Sequence, residues 1–155
     1  MCCLFQELIK LRPFCLEILK ILSSYYEIYL FTTDTAEYTL MIMNFIDPLA
    51  KIFKGALTIK HCFKTHLGRF IKDLRIVTNK KLKDMIIVDC LENKGVLPID
   101  NLIPILKWDK DSKDCELKYL TRYLIEIHNC ENVRSANRKK FKLKELMHET
   151  TINEN

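Results

Sequence analysis

The chain has 155 residues, 48% of them apolar, with only 3 Gly and 4 Pro and a net charge of +5. That length suits one domain with one core, and the composition excludes a disordered or fibrous chain. No run approaches the roughly 20 apolar residues of a membrane-spanning helix, and no signal-peptide or Arg-rich transit pattern opens the sequence.

Residues Leu4 to Leu11 read as a short strand that stops at Arg12-Pro13. Pro13 fits the first position of a helix, where a missing N–H is no loss. Phe14, Leu16, Ile18, Leu19, Ile21 and Leu22 carry that helix to Ser23-Ser24. Tyr25 to Phe31 is β-rich and almost wholly apolar, the pattern of a strand buried on both faces of a parallel sheet. Asp34 with Glu37 reads as a helix N-cap and its reciprocal partner. Tyr38, Met41, Ile42, Phe45 and Ile46 extend the helix to Asp47-Pro48. A stretch of short strands runs through Gly68. Buried strands follow at Met85–Val88, ending at Asp89, and at Leu102–Leu106. Leu117, Leu120, Leu124 and Ile127 mark a helix within 114–128, and a charged helix covers 137–148.

Strand and helix alternating at this spacing imply parallel pairing with crossover helices. In such sheets chemistry sits at the carboxyl ends of strands, here Thr32-Thr33 and Asp89-Cys90. Strands 26–31, 85–88 and 102–106 are expected side by side.

Seven cysteines, an odd number without any C-x-x-C, point to a reducing compartment rather than a disulfide framework or zinc site. The charge is uneven. Residues 51–84 hold ten basic side chains and two acids, a local +8 that leaves −3 for the rest. Such a field favours an anionic partner or is a solvated lysine face. Nucleic acid is not expected, because aromatic residues are not interleaved with the basic ones.

Arg12-Pro13, Tyr26-Glu27-Ile28-Tyr29-Leu30-Phe31-Thr32, Lys72-Asp73-Leu74 and Ile86-Ile87-Val88-Asp89 resemble the haloacid-dehalogenase-type domain of the CTD-phosphatase-like family. So do Asp100-Asn101-Leu102-Ile103-Pro104 with Trp108, Asp114-Cys115-Glu116-Leu117 and Asn132-Val133-Arg134. The resemblance implies an α/β, parallel-sheet, Rossmann-like domain over 1–136, with a charged helix and tail at 137–155. It implies a phosphate-binding remnant of Thr32 and Lys72 and a metal-site aspartate at Asp89.

Three departures bear on activity. No D-x-D-x-T, the family's nucleophile motif, occurs in these 155 residues. An N-terminally incomplete domain lacking its first central strand is therefore expected, with no catalytic residue. Cys90 replaces the family's Asn, and a soft thiol is a poor ligand for hard Mg²⁺. Ala56 to Cys62 replaces an R-L-F-R-E stretch. No cofactor is expected, and Mg²⁺ only with an upstream catalytic segment.

Tyr25 to Ile28, Asp47-Pro48, His61-Cys62 and Trp108 to Asp111 are most similar to the receptor branch of the mitochondrial inner-membrane presequence translocase. That implies a non-catalytic subunit at that membrane, with translocase subunits as partners. The alternative is a truncated nuclear or cytoplasmic protein serine/threonine phosphatase acting on phosphorylated protein segments.

Overall fold

The computed structural model describes residues 9–90 and 95–145. Most of the strand expected at 4–11 lies outside them, and residues 9–12 have no regular structure. Arg12 to Cys15 forms a turn closed by Cys15 N–H to Arg12 O at 3.1 Å. Pro13 takes its second position and Phe14 the third, with φ 66° and ψ 4°. This is type II turn geometry, for which Pro at the second position is preformed and a positive φ at the third is required. Pro13 thus precedes the helix instead of opening it. Lys118 lies 3.7 Å over the Phe14 ring, which helps hold a conformation that costs a bulky residue about 1–2 kcal/mol.

Helix α1 spans Cys15–Leu22 and buries Ile18 and Leu22, four residues apart on one face. Strand β1 is Ile28–Phe31, and α2 is Ala36–Ile46. Thr35, not Asp34, caps α2 by accepting the Tyr38 N–H at 3.3 Å. The Asp34 carboxylate is instead taken by the Thr32 hydroxyl. Asp47 ends α2 and accepts three backbone N–H groups, from Lys51, Ile52 and Phe53, at 2.7–3.0 Å.

Strand β2 (Phe53–Leu57) returns parallel to β1. Strands β3 (Phe63–Lys64) and β4 (Phe70–Asp73) form a hairpin, and β4 also pairs with β6 (Val96–Leu97). Gly68 supplies the positive φ of 78° that the hairpin turn demands. Strands β5 (Ile87–Cys90) and β7 (Leu102–Ile105) are parallel, with Ile87 opposite Leu102. Helix α3 is Glu116–Ile127 and α4 is Val133–Phe141. The charged helix begins earlier than the sequence pattern placed it because Asn132 caps it, accepting the Arg134 N–H at 3.0 Å.

Two apolar clusters cover opposite faces of the strand layer. Ile18, Leu22, Ile103, Tyr123, Leu124, Ile127 and Val133 make one, with Ile28 and Ile86 packed on it. Leu74, Ile87, Val96, Leu102 and Leu143 make the other, with Phe31 packed on it. Adjacent residues of one strand point to opposite faces, so Leu102 and Ile103 serve one cluster each. Burying a side chain such as Ile103, 1% exposed, contributes roughly 1.5–3 kcal/mol.

Two expectations fail here. Strands β5 and β7 pair, but β1 pairs only with β2 among the described strands and not with β5. Strand β1, expected to be buried on both faces, has no buried residue at all. Among the described strands β1 is paired along one edge only, and its side chains stay partly or fully exposed.

Candidate functional site

The hairpin and the parallel strands bring Lys72, Asp89, Thr32 and Cys62 to one end of the layer. Lys72 lies in β4, and its ammonium meets Asp89 Oδ2 at 2.8 Å, with the two side chains 16% and 11% exposed. Asp89 Oδ1 accepts the Cys90 backbone N–H at 2.7 Å.

Thr32 follows β1 and donates its backbone N–H to Leu57 O at 2.9 Å. Its hydroxyl donates to Asp34 Oδ2 at 2.5 Å and accepts the Asp34 N–H at 3.1 Å. This is a self-contained turn of the kind Asp and Thr form. The Thr32 hydroxyl is therefore engaged by its own turn, while the Lys72 head is engaged by Asp89.

Cys62 connects the two. Its thiol donates to Thr32 O at 3.8 Å and Thr58 O at 3.7 Å. Burial pushes the thiol pKa up, and the nearby Lys72 charge works against that rise. Sequence reasoning named Cys62 only as part of a motif and did not foresee its place beside Lys72.

The described residues at this end do not by themselves make a Mg²⁺ site. A hard cation takes several oxygen ligands. Here Asp89 offers one carboxylate, already drawn to Lys72 and the Cys90 N–H, and the next side chain is a thiol. Among the described residues no group of three His, Cys, Asp or Glu is placed to hold a metal ion.

A second polar connection ties the chain start to the loop before α3. The Arg12 fork places Nε and Nη2 each 2.7 Å from the two Asp114 oxygens, and Nη1 donates to Leu106 O at 2.6 Å. Hydrogen bonding from Arg12 holds the Asp114 carboxyl below the usual range despite partial burial, and the Glu116 N–H adds to it. Both residues stood in recognisable motifs, but they lie 102 positions apart, so no local pattern announced the pair. Asp100, 3% exposed at its side chain, is surrounded by Arg134, Arg138 and Lys144 at 3.1–3.8 Å. These two acids stabilise the frame of the site rather than its mouth.

The strands and helices form a parallel α/β layer of the haloacid-dehalogenase-like kind, with Lys72 and Asp89 meeting at its carboxyl edge. The chain belongs to the NLI interacting factor-like phosphatase family, whose model matches residues 4–134. It is 36% identical over 143 residues to CTD small phosphatase-like protein 2 of Dictyostelium discoideum, covering 92% of this chain and 25% of that protein. It is 35% identical over 109 residues to the mitochondrial import inner membrane translocase subunit TIM50 of Candida glabrata, covering 70% of this chain and 22% of that one. The solved structure of the fission yeast RNA polymerase II CTD phosphatase Fcp1 bound to beryllium fluoride superposes with a TM-score of 0.55. At 18% identity, over 91% of this chain and 40% of that one, it supports the fold alone. The chain spans a quarter to a half of the first two curated relatives, 25% and 49%.

Proposed function

We propose that these residues act as a non-catalytic, protein-binding domain of the CTD-phosphatase-like family. The observation that carries this reading is the Lys72–Asp89 ion pair. The residues matching the family's phosphate-neutralising lysine and metal-site aspartate neutralise each other at 2.8 Å. Nucleophilic phosphoryl transfer needs a carboxylate free to attack phosphorus. No D-x-D-x-T within the 155 residues supplies one.

The partner is a protein segment. Lys51, Lys54, Lys60, Lys64, Arg69 and Arg75 are exposed on and around β2, β3 and β4. An acidic or phosphorylated segment complements that face. Thr32 and Lys72 form the inner end of the contact, where a phosphoryl group competes with Asp89 for the ammonium. One helix-end or lysine contact contributes about 0.3–1 kcal/mol when exposed. A millimolar complex needs about 4 kcal/mol, so the outer cations are required for measurable binding.

A second reading is a subunit of the mitochondrial inner-membrane import translocase, favoured by the 35% identity to TIM50. It too needs binding without catalysis, and it predicts affinity for basic amphipathic peptides instead. A protein serine/threonine phosphatase domain is the alternative that the small CTD phosphatase relatives favour.

Titration with labelled peptides separates these. Weak, salt-sensitive binding of a phosphoserine peptide, lost in Lys72→Glu, is the result expected. Preference for a basic amphipathic peptide with no response to Lys72→Glu refutes the anion reading and supports the translocase one.

A further inference from the structure

We propose that His61 is a pH-operated clasp for the Thr32 end of the site, holding it while the imidazole is neutral and releasing it on protonation. The device lies at the site already described, but its readout needs no ligand and does not depend on the anion-binding reading.

A single 3-10 turn, Ile59–His61, follows β2. It closes through His61 N–H to Thr58 O at 2.8 Å and Cys62 N–H to Ile59 O at 3.1 Å. The Thr58 N–H donates to His61 Nδ1 at 2.9 Å. This is the side-chain half of a capping box, in which Glu or Gln ordinarily accepts the N–H three residues back.

A backbone N–H can only donate, so Nδ1 presents its lone pair and the ring proton sits on Nε2. Imidazole differs from the usual Glu or Gln in gaining a proton just below neutral pH. Once Nδ1 carries that proton, two donors face each other. The protonated ring can turn to the Thr58 hydroxyl, 3.3 Å from Nδ1. The Thr58 N–H then loses its acceptor, in a residue only 6% exposed, and a buried unpaired donor is costly. His61 itself is exposed, so a proton reaches the ring without unfolding.

The turn and the residue before it are fastened to the Thr32 end at three points. Leu57 O accepts the Thr32 N–H at 2.9 Å, and the Ile59 N–H donates to Asp34 O at 3.0 Å. The Cys62 thiol reaches Thr32 O at 3.8 Å. Thr58 stands between Leu57 and Ile59, so releasing it loosens the support of the Thr32–Asp34 turn.

The charged and titratable groups around this turn are Asp34 and Glu37 at the start of α2, Lys60 and Cys62 beside His61, Lys64 on β3 and Lys72 on β4. Both acids are engaged elsewhere. The Asp34 carboxylate is held by the Thr32 hydroxyl, and Glu37 by its own N–H and the Thr35 hydroxyl. A protonated His61 therefore gains no carboxylate in exchange for the bond it loses.

Hydrogen exchange of the 155-residue chain, read amide by amide and corrected for intrinsic rates, tests this at about pH 7.5 and about pH 5.5. Protection of the Thr58, Ile59 and Thr32 amides should fall about tenfold in acid, while the β5–β7 ladder keeps its own. His61→Gln retains an acceptor that does not titrate, so its protection should match the unaltered chain near neutrality and persist in acid. His61→Ala should be poorly protected at both. Nitrogen shifts of the ring should show Nδ1 without a proton near neutrality. Any of three results would overturn the proposal: a protonated Nδ1 near neutrality, protection indifferent to acid, or an equal acid loss in His61→Gln. Failure of a phosphoserine peptide to bind would remove the anion reading and leave this result standing.

Discussion

The Lys72 ammonium sits 2.8 Å from Asp89 Oδ2, joining β4 to β5 where the catalytic end of the fold would be. Both side chains are largely covered, so removing one partner leaves a charge poorly solvated. Lys72→Ala is expected to destabilise the chain by about 1–3 kcal/mol, read as a lower urea midpoint at unchanged slope. A change below about 0.5 kcal/mol would place this pair among surface ion pairs of no structural weight.

The same pairing bears on activity. With Mg²⁺ and para-nitrophenyl phosphate, the purified chain should show no turnover above buffer, because no D-x-D-x-T carboxylate is present in it to form an acyl phosphate. Turnover abolished by Asp89→Asn or Lys72→Ala would show that these residues still catalyse.

Acid should weaken the fold through its depressed carboxyls, of which Asp114 and Asp47 are two. Asp114 is held low by Arg12, with burial opposing. At Asp47 burial pushes the pKa up, but the N–H groups of Phe53, Lys51 and Ile52 outweigh it and leave the carboxyl low. A depressed folded pKa contributes stability that is present above the unfolded value of about 3.9 and is lost as pH falls through the folded one. The urea midpoint should therefore fall steeply below about pH 4. In Asp114→Ala it should start lower and fall less. Equal slopes in both proteins would remove Asp114 as a cause.

At the alkaline end, burial raises the phenols of Tyr26 and Tyr123 to about 12. Tyr26 also donates to Leu124 O at 2.6 Å, and Tyr123 to Asn137 Oδ1 at 2.9 Å. Both pKa values are raised, so the stability these groups contribute is present below about pH 10 and is lost as pH rises through the folded values. Absorbance titration of the six tyrosines should show two that ionise late or only with unfolding. Tyr26→Phe should remove one of the late pair.

The sequence disclosed what depends on near neighbours. Short continuous apolar runs located β1, β5 and β7, and the leucine spacing located α3, since such signals are written locally. What it did not disclose depends on partners far along the chain. Asp34 reads as a cap until Thr32 claims its carboxylate and the role passes to Thr35. The apolar run at β1 reads as buried because composition carries no sign of how many edges are paired. At the site, Lys72 and Asp89 were legible through their motifs. Their mutual neutralisation and the approach of Cys62 arise only when the hairpin folds over the strand ends.

Asn101 provides the last test, and it concerns register. The residue is fully buried, and its Nδ2 donates to Leu82 O at 2.6 Å and Met85 O at 2.7 Å. Those carbonyls lie just before β5, and Asn101 lies just before β7. One amide thus fixes where two parallel strands enter their ladder, with Ile87 opposite Leu102. Asn101→Leu fills similar volume but strands two buried carbonyls, at a cost of about 2–4 kcal/mol. Asn101→Asp should be no better, since a carboxylate cannot donate and would face both acceptors. A slipped register would turn Ile87 and Leu102 away from their cluster. The variants should therefore lose exchange protection first at β5 and β7, while the β1–β2 ladder keeps its own. A loss below about 1 kcal/mol in Asn101→Leu, with protection at β5 unchanged, would show that packing alone sets the register.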